Sequence, residues 1–509
     1  MVRILDCTLR DGGYYTNWDF SNQTVEQYIE TINKLPIEYI ELGYRSIDLD
    51  GYHGEFFYCP ISTLESIKST TDKKIAILLN EKDIKPSDVD DLLQPCMHLV
   101  DLIRIAVNPS NIHSAISLAK RVKQLDFQVA FNVMYLSEWD SYPELYESLP
   151  KIEDVVDIFY LVDSYGSIFP EQLKEIITTI KKSTDMALGF HGHNNLELAL
   201  ANTMQAIECG VQIVDATITG MGRGAGNLKT ELILTVLNRK NGLNIDFDAL
   251  SHVTEIFEDL KSQYQWGTTL PYMVSGINSL PQKNVMHLVQ KKIYSLNTII
   301  NKLTKNNNKQ KQFEEFKVNN GFKNAVIIGG GPSAGVHSKF IKQFAEQQKS
   351  TCLIHSSSKN ANHYSDSKIA QFFCLLGNEG YRLKSVFNNF LSHFEGQCVL
   401  PPTKNLKGTF IPRAVVENTF QLDEIKFTEI KEDSHLALAI QIALKLQVDT
   451  IYFVGYDGYS QNQIAAKDLK FFKENSKIFN DLRKEAVEFC SLTPTLYDVL
   501  PKSSVFKYI

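Results

Sequence analysis

Two histidines, His191 and His193 in Phe190-His191-Gly192-His193-Asn194-Asn195, are separated by one residue and follow the apolar run Met186–Phe190. In a strand, residues i and i+2 point to the same side. The pair can therefore present two imidazoles side by side where a strand ends. A divalent cation accepts such a pair together with at least one carboxylate from elsewhere in the chain. The alternative is two ordinary strand-end histidines, and the H-x-H spacing alone does not separate the two.

The elements that would position them repeat with a regular rhythm. Short apolar runs occur at Arg3–Leu9, Tyr39–Tyr44, Lys74–Leu79, Leu102–Val107, Gln128–Met134, Ile158–Val162, Ala187–His191 and Ile213–Ile218. Amphipathic segments lie between them, among them Thr24–Leu35, Asn111–Leu125, Pro170–Lys182, Leu196–Glu208 and Leu228–Asn238. Eight strand–helix units over residues 1–245 predict a (β/α)8 TIM barrel, with an open doubly wound sheet as the alternative. Barrel active sites sit at the carboxyl ends of the strands. Those ends carry Arg10, Asp11 and Tyr14 after the first run and Glu41 and Arg45 at the second. Asn132 and Tyr135 follow at the fifth, Asp163 and Ser164 at the sixth, and Gly220–Asn227 after the eighth. No lysine stands at the end of any run, which disfavours a Schiff-base route.

Three stretches, Asp6-Cys7-Thr8-Leu9-Arg10-Asp11-Gly12, His191-Gly192-His193-Asn194 and Gly222–Asn227, resemble the signatures of the DRE-TIM metallolyase family. That family includes hydroxymethylglutaryl-CoA lyase, 4-hydroxy-2-oxovalerate aldolase and isopropylmalate synthase, and the resemblance covers roughly the first 290 residues. It implies a divalent metal (Mn²⁺, Mg²⁺, Co²⁺ or Zn²⁺) held by Asp11, His191 and His193, with Asn227 as a fourth ligand. It also implies that Arg10 steadies an enolate oxygen. Such a metal binds a 2-oxo acid through its carboxylate and keto oxygens and stabilises the enolate of aldol chemistry. In the hydroxyoxovalerate aldolase branch, a histidine three residues beyond the Arg-Asp pair serves as base. Tyr14 stands there in this chain. With a reference pKa near 10, tyrosine is a poorer base, so Tyr14 is either a proton-transfer residue or a wall of the substrate site.

Arg45 and Arg223 are of a type that grips a carboxylate or phosphate, and Asp163 and Ser164 are expected to contact substrate. Glu41 is expected to pair with Arg10 or Arg104, and Asp6 to orient Arg10 or a ligand. Residues 246–300 read as a helical extension; in the aldolase branch that this segment resembles, the extension covers the site and contacts a dehydrogenase. Residues 301–321, rich in lysine and asparagine, read as a linker.

A second α/β domain, Rossmann-like, is expected over 322–509. The strand Ala325–Ile328 runs into Gly329-Gly330-Gly331-Pro332-Ser333 and then a helix. Such a turn offers backbone N–H groups to an anion. A dinucleotide site expects an acid after the second strand, but Ser356-Ser357-Ser358-Lys359-Asn360 follows Cys352–His355. With Ser434-His435 and Gly455-Tyr456-Asp457, the turn resembles the Rossmann-like domain of motility accessory factors and bacterial sialyltransferases. That resemblance implies a nucleotide or sugar nucleotide near Gly329, Gly331, Ser333 and Asp457, with His435 a further candidate. A capped helix and a turn aspartate explain the last two equally well.

The chain has 509 residues, net charge −7, 43% hydrophobic and 22% charged residues, which fits a folded soluble protein and disfavours general nucleic-acid binding. Its eight cysteines form no C-x-x-C, and no stretch is long enough to span a bilayer. These features predict a cytoplasmic protein, expected to be a homo-oligomer. The reading is a metal-dependent aldolase joining or cleaving a pyruvate-type enolate and an aldehyde, with surface-polysaccharide sugar acids as a setting. Its rivals are a Claisen-type acyl transferase, a glycosyltransferase acting through the second domain, and a binding protein without catalysis.

Overall fold

The computed structural model describes the chain apart from residues 1, 292, 305–312, 318–320, 391–393, 403–407 and 459–465. It forms two compact units, Met1–His287 and Leu288–Ile509. Helices of the segment 246–300 fall in both units, among them Phe247–Tyr264 in the first and Leu296–Leu303 in the second. Much of the stretch read as a linker lies outside the described residues. Phe316, within it, is buried in the core of the second unit.

The first unit is a closed barrel of eight parallel strands in sequence order. They are β1 (Arg3–Asp6), β2 (Tyr39–Tyr44), β3 (Lys74–Asn80), β4 (Leu102–Val107), β5 (Gln128–Val133), β6 (Ile158–Asp163), β7 (Ala187–Gly192) and β8 (Ile213–Ala216). Inward side chains such as Leu5, Ala76, Leu102, Ala130 and Ile213 fill the barrel. Outward ones pack beneath the helices. Helix starts follow side-chain capping: Ser21 accepts from Thr24 N ahead of Asn22–Lys34, and Asp246 from Ala249 N ahead of Phe247–Tyr264.

The first run departs from expectation. Only Arg3–Asp6 is strand; Thr8–Thr16 is a helix carrying Arg10, Asp11 and Tyr14. Asp6 makes the break, because its carboxylate accepts from Thr8 N (3.0 Å) and Thr8 Oγ1 (2.5 Å) and so turns the chain out of the strand. Tyr28 and Thr230 hydroxyls occupy the same carboxylate. Asp6 therefore anchors this corner and does not orient Arg10.

The second unit holds a seven-stranded parallel sheet: β9 (Asn324–Ile328), β10 (Thr351–His355), β11 (Gln371–Cys374), β12 (Gln397–Leu400), β13 (Thr419–Gln421), β14 (Thr450–Val454) and β15 (Glu488–Ser491). The order is β13-β12-β11-β10-β9-β14-β15. Alternate residues of β9 enter separate clusters, Ala325 and Ile327 on one face and Val326 and Ile328 on the other. Both faces are covered, as a parallel sheet requires. The strand order reverses between β9 and β14. Among the described residues, no helix is long and apolar enough to cross a membrane.

Candidate active site

A layer of charge lies inside the barrel beneath the mouth. The even strands supply it: Glu41 from β2, Arg104 from β4, Tyr160 from β6 and Asp215 from β8, all buried. Four side chains from alternate strands make one interior layer of such a barrel. Arg104 ties this one together. Its Nη2 donates to Asp215 Oδ2 (2.5 Å), its Nη1 lies 3.0 Å from Glu41 Oε2, and its guanidinium rests 4.2 Å from the Tyr160 ring centre. Arg10 joins from above, its Nε donating to Glu41 Oε2 (2.7 Å) and its Nη1 pairing with Asp11. Glu41 thus pairs with both arginines.

The next layer toward the mouth comes from odd strands, with His191 on β7, Asn132 on β5 and Leu78 on β3. His191 Nδ1 bonds Asp215 Oδ2 (2.8 Å), and Arg104 Nε donates to Asn132 Oδ1 (3.0 Å). Burial alone would raise the Asp215 pKa, but the charges of Arg104 and His191 outweigh it and hold the carboxyl low. Asp215, absent from the sequence expectations, therefore fixes the tautomer of His191. With the proton on Nδ1, Nε2 keeps its lone pair.

Of the four residues expected to bind metal, Asp11 contacts His191 and Asn227 directly, and His193 stands beside them with its ring centre 4.9 Å from that of His191. His193 Nδ1 bonds the Asp163 carbonyl (2.8 Å), which leaves its Nε2 available. Burial and the nearby His191 push the His193 pKa down to about 3, so its imidazole is neutral at pH 7. His191 Nε2 lies 3.5 Å from Asp11 Oδ2. Burial opposes ionisation of Asp11, yet the charge of Arg10 and then of His191 draws its pKa to about 2. Asn227 Nδ2 donates to Asp11 Oδ2 (2.6 Å), and its Oδ1 is buried with no hydrogen-bond partner. The loop before Asn227 closes tightly: Gly226 has φ +77°, and a Cβ there would strike the Gly220 carbonyl. Cys7 Sγ also lies within 4.8 Å of Asp11 and His191. Burial pushes its thiol far up, and it leans 3.6 Å from the Ala216 carbonyl, so it is no ligand. One carboxylate oxygen, two imidazole nitrogens and an unpartnered amide oxygen fit a divalent cation.

Asp11, His191 and His193 line a cavity of about 250 Å³ that also takes in Arg10, Tyr14, Tyr44, Ser164 and Arg223, whereas Asn227 borders a separate cavity with Thr219 and Trp266. Tyr14 and Tyr44 share a hydroxyl–hydroxyl bond of 3.0 Å, and Arg223 stacks 5.0 Å from the Tyr14 ring centre. Tyr44 points inward because β2 slips register between Glu41 and Gly43, so that Glu41 pairs with Ala76 and Tyr44 with Leu78. Two expected substrate contacts do not line the cavity. The Arg45 guanidinium donates to the carbonyls of Leu92, Tyr58 and Cys59 (2.8–3.2 Å) and staples a loop. The Asp163 carboxylate accepts from Ser167 N (3.1 Å) and Ile168 N (3.4 Å), so it shapes the turn that presents its own carbonyl to His193. Ser164 accepts from Tyr135 N (2.9 Å). Lys82, two residues past β3, reaches the exposed rim of the cavity.

In the second unit a cavity of about 470 Å³ opens at the carboxyl ends of β9, β10 and β14, where the strand order reverses. The glycine turn is not an open anion cradle. Ser333 N donates to Asp457 Oδ2 (3.0 Å) and Ser333 Oγ to Asp457 Oδ1, so the aspartate caps the short helix Pro332–Val336. Gly329 N and Gly331 N donate to Val454 and Gly455 carbonyls. A Cβ on Gly331 would lie 2.6 Å from the Gly455 oxygen and 2.8 Å from Asp457 Cγ, so glycine here serves the close approach of two loops. Among the described residues, the cations facing the cavity are instead Lys359 and Arg382; Arg382 Nη1 donates to Glu379 Oε2 (2.8 Å), and His435 Nε2 lies 3.8 Å from the same oxygen.

The HMGL-like family model matches residues 97–257. The chain is 30% identical over 255 residues to a 4-hydroxy-2-oxovalerate aldolase of Geobacillus thermodenitrificans, covering 48% of this chain and 72% of that one. It is 26% identical over 291 residues to an oxaloacetate decarboxylase of Mycobacterium tuberculosis, covering 56% and 84% respectively. A crystal structure of the N-terminal domain of a candidate aldolase from Bacteroides vulgatus is 51% identical, with TM-score 0.57, covering 59% of this chain and all of that one.

Proposed function

Because the chain belongs to the HMGL-like family and carries a carbon–carbon lyase barrel of a metal-dependent kind, we propose that it makes or cleaves the bond between a pyruvate-type enolate and an aldehyde. Asp11, His191, His193 and Asn227 would hold the metal. The observation that carries this is the buried, unpartnered Asn227 Oδ1 beside Asp11, with both histidines tied through Nδ1. When bound, a divalent cation supplies Lewis-acid stabilisation of the developing enolate charge.

The protein's own groups do the rest. Arg10, fixed by Glu41 and Asp11, places positive charge against the enolate oxygen. Arg223 has a buried Nε without a partner and receives the substrate carboxylate. The Tyr14–Tyr44 pair hands a proton to the aldehyde oxygen as the bond forms and takes it back in cleavage. Decarboxylation of a 2-oxo diacid, favoured by the Mycobacterium relative, would generate the same enolate and is the second reading.

The decisive measurement is exchange of pyruvate C3 protons in D₂O, with metal analysis of the purified protein. Exchange that EDTA abolishes and Mn²⁺ or Mg²⁺ restores is expected. No exchange from folded protein under any metal refutes the reading.

For the second unit we propose binding of an anionic ligand, a nucleotide or nucleotide-linked sugar acid, with Lys359 and Arg382 as its counter-charges. The same reading places the chain in surface-polysaccharide chemistry. The position of the cavity at the sheet's switch point supports it. Titration calorimetry with CMP, UDP and ATP tests it, and silence with all three refutes it. All eight cysteines are unpaired, which suits the reducing cytoplasm.

A further inference from the structure

The wall of the barrel cavity opposite the metal-ligand set belongs to β3, β4 and β5, since the ligands come from the β7–β8–β1 side of a closed eight-strand ring. An asparagine at or beside the end of each of those three strands lines the cavity: Asn80 is the last residue of β3, Asn108 follows β4, and Asn132 is the penultimate residue of β5. Each amide is held by one end and leaves the other for a ligand. Asn132 Oδ1 accepts from Arg104 Nε (3.0 Å), so its Nδ2 is presented. Asn108 Oδ1 accepts from Ser110 N (3.1 Å) and Ser110 Oγ (2.9 Å), so its Nδ2 is presented too. Asn80 Nδ2 donates to Asp83 Oδ2 (2.7 Å), which leaves Oδ1 as an acceptor. Lys82 adds a further donor at the rim.

From this we infer that the aldehyde partner is polyhydroxylated, a short aldose or a close relative of one. The inference rests on the aldolase reading and adds the substrate class to it. Two amide donors, one amide acceptor and an ammonium on consecutive strand ends match a row of hydroxyls, which both donate and accept. An alkyl aldehyde would bury those same groups without partners, and sites built to bond a hydroxyl reject analogues that lack it. At about 250 Å³ the cavity is smaller than the usual site for a drug-sized ligand. It suits pyruvate together with an aldehyde of roughly three to five carbons.

The reaction balances without a co-reactant. Pyruvate C3 loses a proton and bonds the aldehyde carbon, and the aldehyde oxygen gains a proton and becomes the C4 hydroxyl. The product is a 4-hydroxy-2-oxo acid with no substituent on C3, a 3-deoxy-2-oxo sugar acid.

The test uses the full chain loaded with Mn²⁺. Bond formation between pyruvate and propanal, glyceraldehyde, erythrose or arabinose is followed by proton NMR, with pyruvate C3 exchange in D₂O recorded alongside. The best hydroxyaldehyde is expected to exceed propanal in kcat/KM by at least tenfold, on the order of a hundredfold. An advantage below tenfold while exchange proceeds overturns the substrate class and leaves the enolate reading standing. Absence of exchange removes both. Asn108→Asp and Asn132→Asp each keep the Oδ1 that the fold uses and lose the donor, so the hydroxyaldehyde advantage should shrink at least threefold in each. An unchanged advantage in both overturns the assignment of this wall.

Discussion

Replacing Asp215 with alanine removes one oxygen that serves two buried cations or proton donors at once. Oδ2 lies 2.5 Å from Arg104 Nη2 and 2.8 Å from His191 Nδ1, and all three side chains are at most 3% exposed. Arg104 then keeps Glu41, Asn132 and the Tyr160 ring but loses one of its two carboxylates, and breaking a buried pair from one side costs about 3–5 kcal/mol. His191 loses the acceptor that holds its proton on Nδ1. Loss of such an outer partner weakens metal binding about 10–100-fold, or about 1.4–2.8 kcal/mol. Asp215→Asn should fall between, because an amide oxygen can still accept from both while the negative charge is gone. Urea denaturation in EDTA isolates the first effect from metal stabilisation, and a chelator-competition titration with Mn²⁺ reads the second. A folded Asp215→Ala protein that binds Mn²⁺ within twofold of the wild type would refute the claim that this layer positions His191. A stability loss under about 1 kcal/mol would refute the claim that Arg104 depends on it.

Burial raises the Asp163 pKa to about 7 from an ordinary 3.8. The folded state therefore favours the protonated acid, whose stabilisation is complete below about pH 4 and is lost as pH rises through 7. About three units correspond to roughly 4 kcal/mol. Urea midpoints at pH 5 and 9 in EDTA should differ less in Asp163→Asn than in the wild type, and an equal difference would discount the buried carboxyl. Tyr14→Phe should lower the rate of bond formation about 10²–10⁴-fold with pyruvate KM little changed, as befits a proton-transfer group; an unaltered kcat makes Tyr14 a wall. Arg45→Ala leaves three main-chain carbonyls without their donor and should cost roughly 1–3 kcal/mol in urea denaturation. Its pyruvate KM should stay within twofold, and a tenfold rise would return Arg45 to the substrate site.

The barrel was legible because its strands are short, apolar and evenly spaced, and the histidine pair because its i, i+2 spacing brackets a strand end, with His191 on β7 and His193 one residue past Gly192. What stayed hidden has particular causes. Arg45 follows β2 and looks like a mouth residue, yet the register slip at Leu42 turns Tyr44 inward and leaves Arg45 to bind carbonyls. Asp163 sits at a strand end, but its carboxylate is consumed by the turn it caps, and its useful atom is a carbonyl that side-chain chemistry does not advertise. In the second unit, the run of glycines is explained by two loops meeting at Gly331 and Gly455, a contact between segments more than a hundred residues apart. Asp215 carried the plainest overlooked signal, a charge in the middle of an apolar run, as do Glu41 and Arg104 on theirs. A charge inside a strand is tolerable only if the opposing strands of the barrel supply its partner. Three such residues on strands 2, 4 and 8 therefore specify one another, and the site above them inherits its electrostatics from that layer. The same logic orders the residues of the mouth. His191 on β7 and Asn132 on β5 are held from below by Asp215 and Arg104. His191 of the proposed metal-ligand wall and Asn132 of the proposed hydroxyl-binding wall are thus fixed to a single ion-paired floor, and a change in that floor should disturb both together.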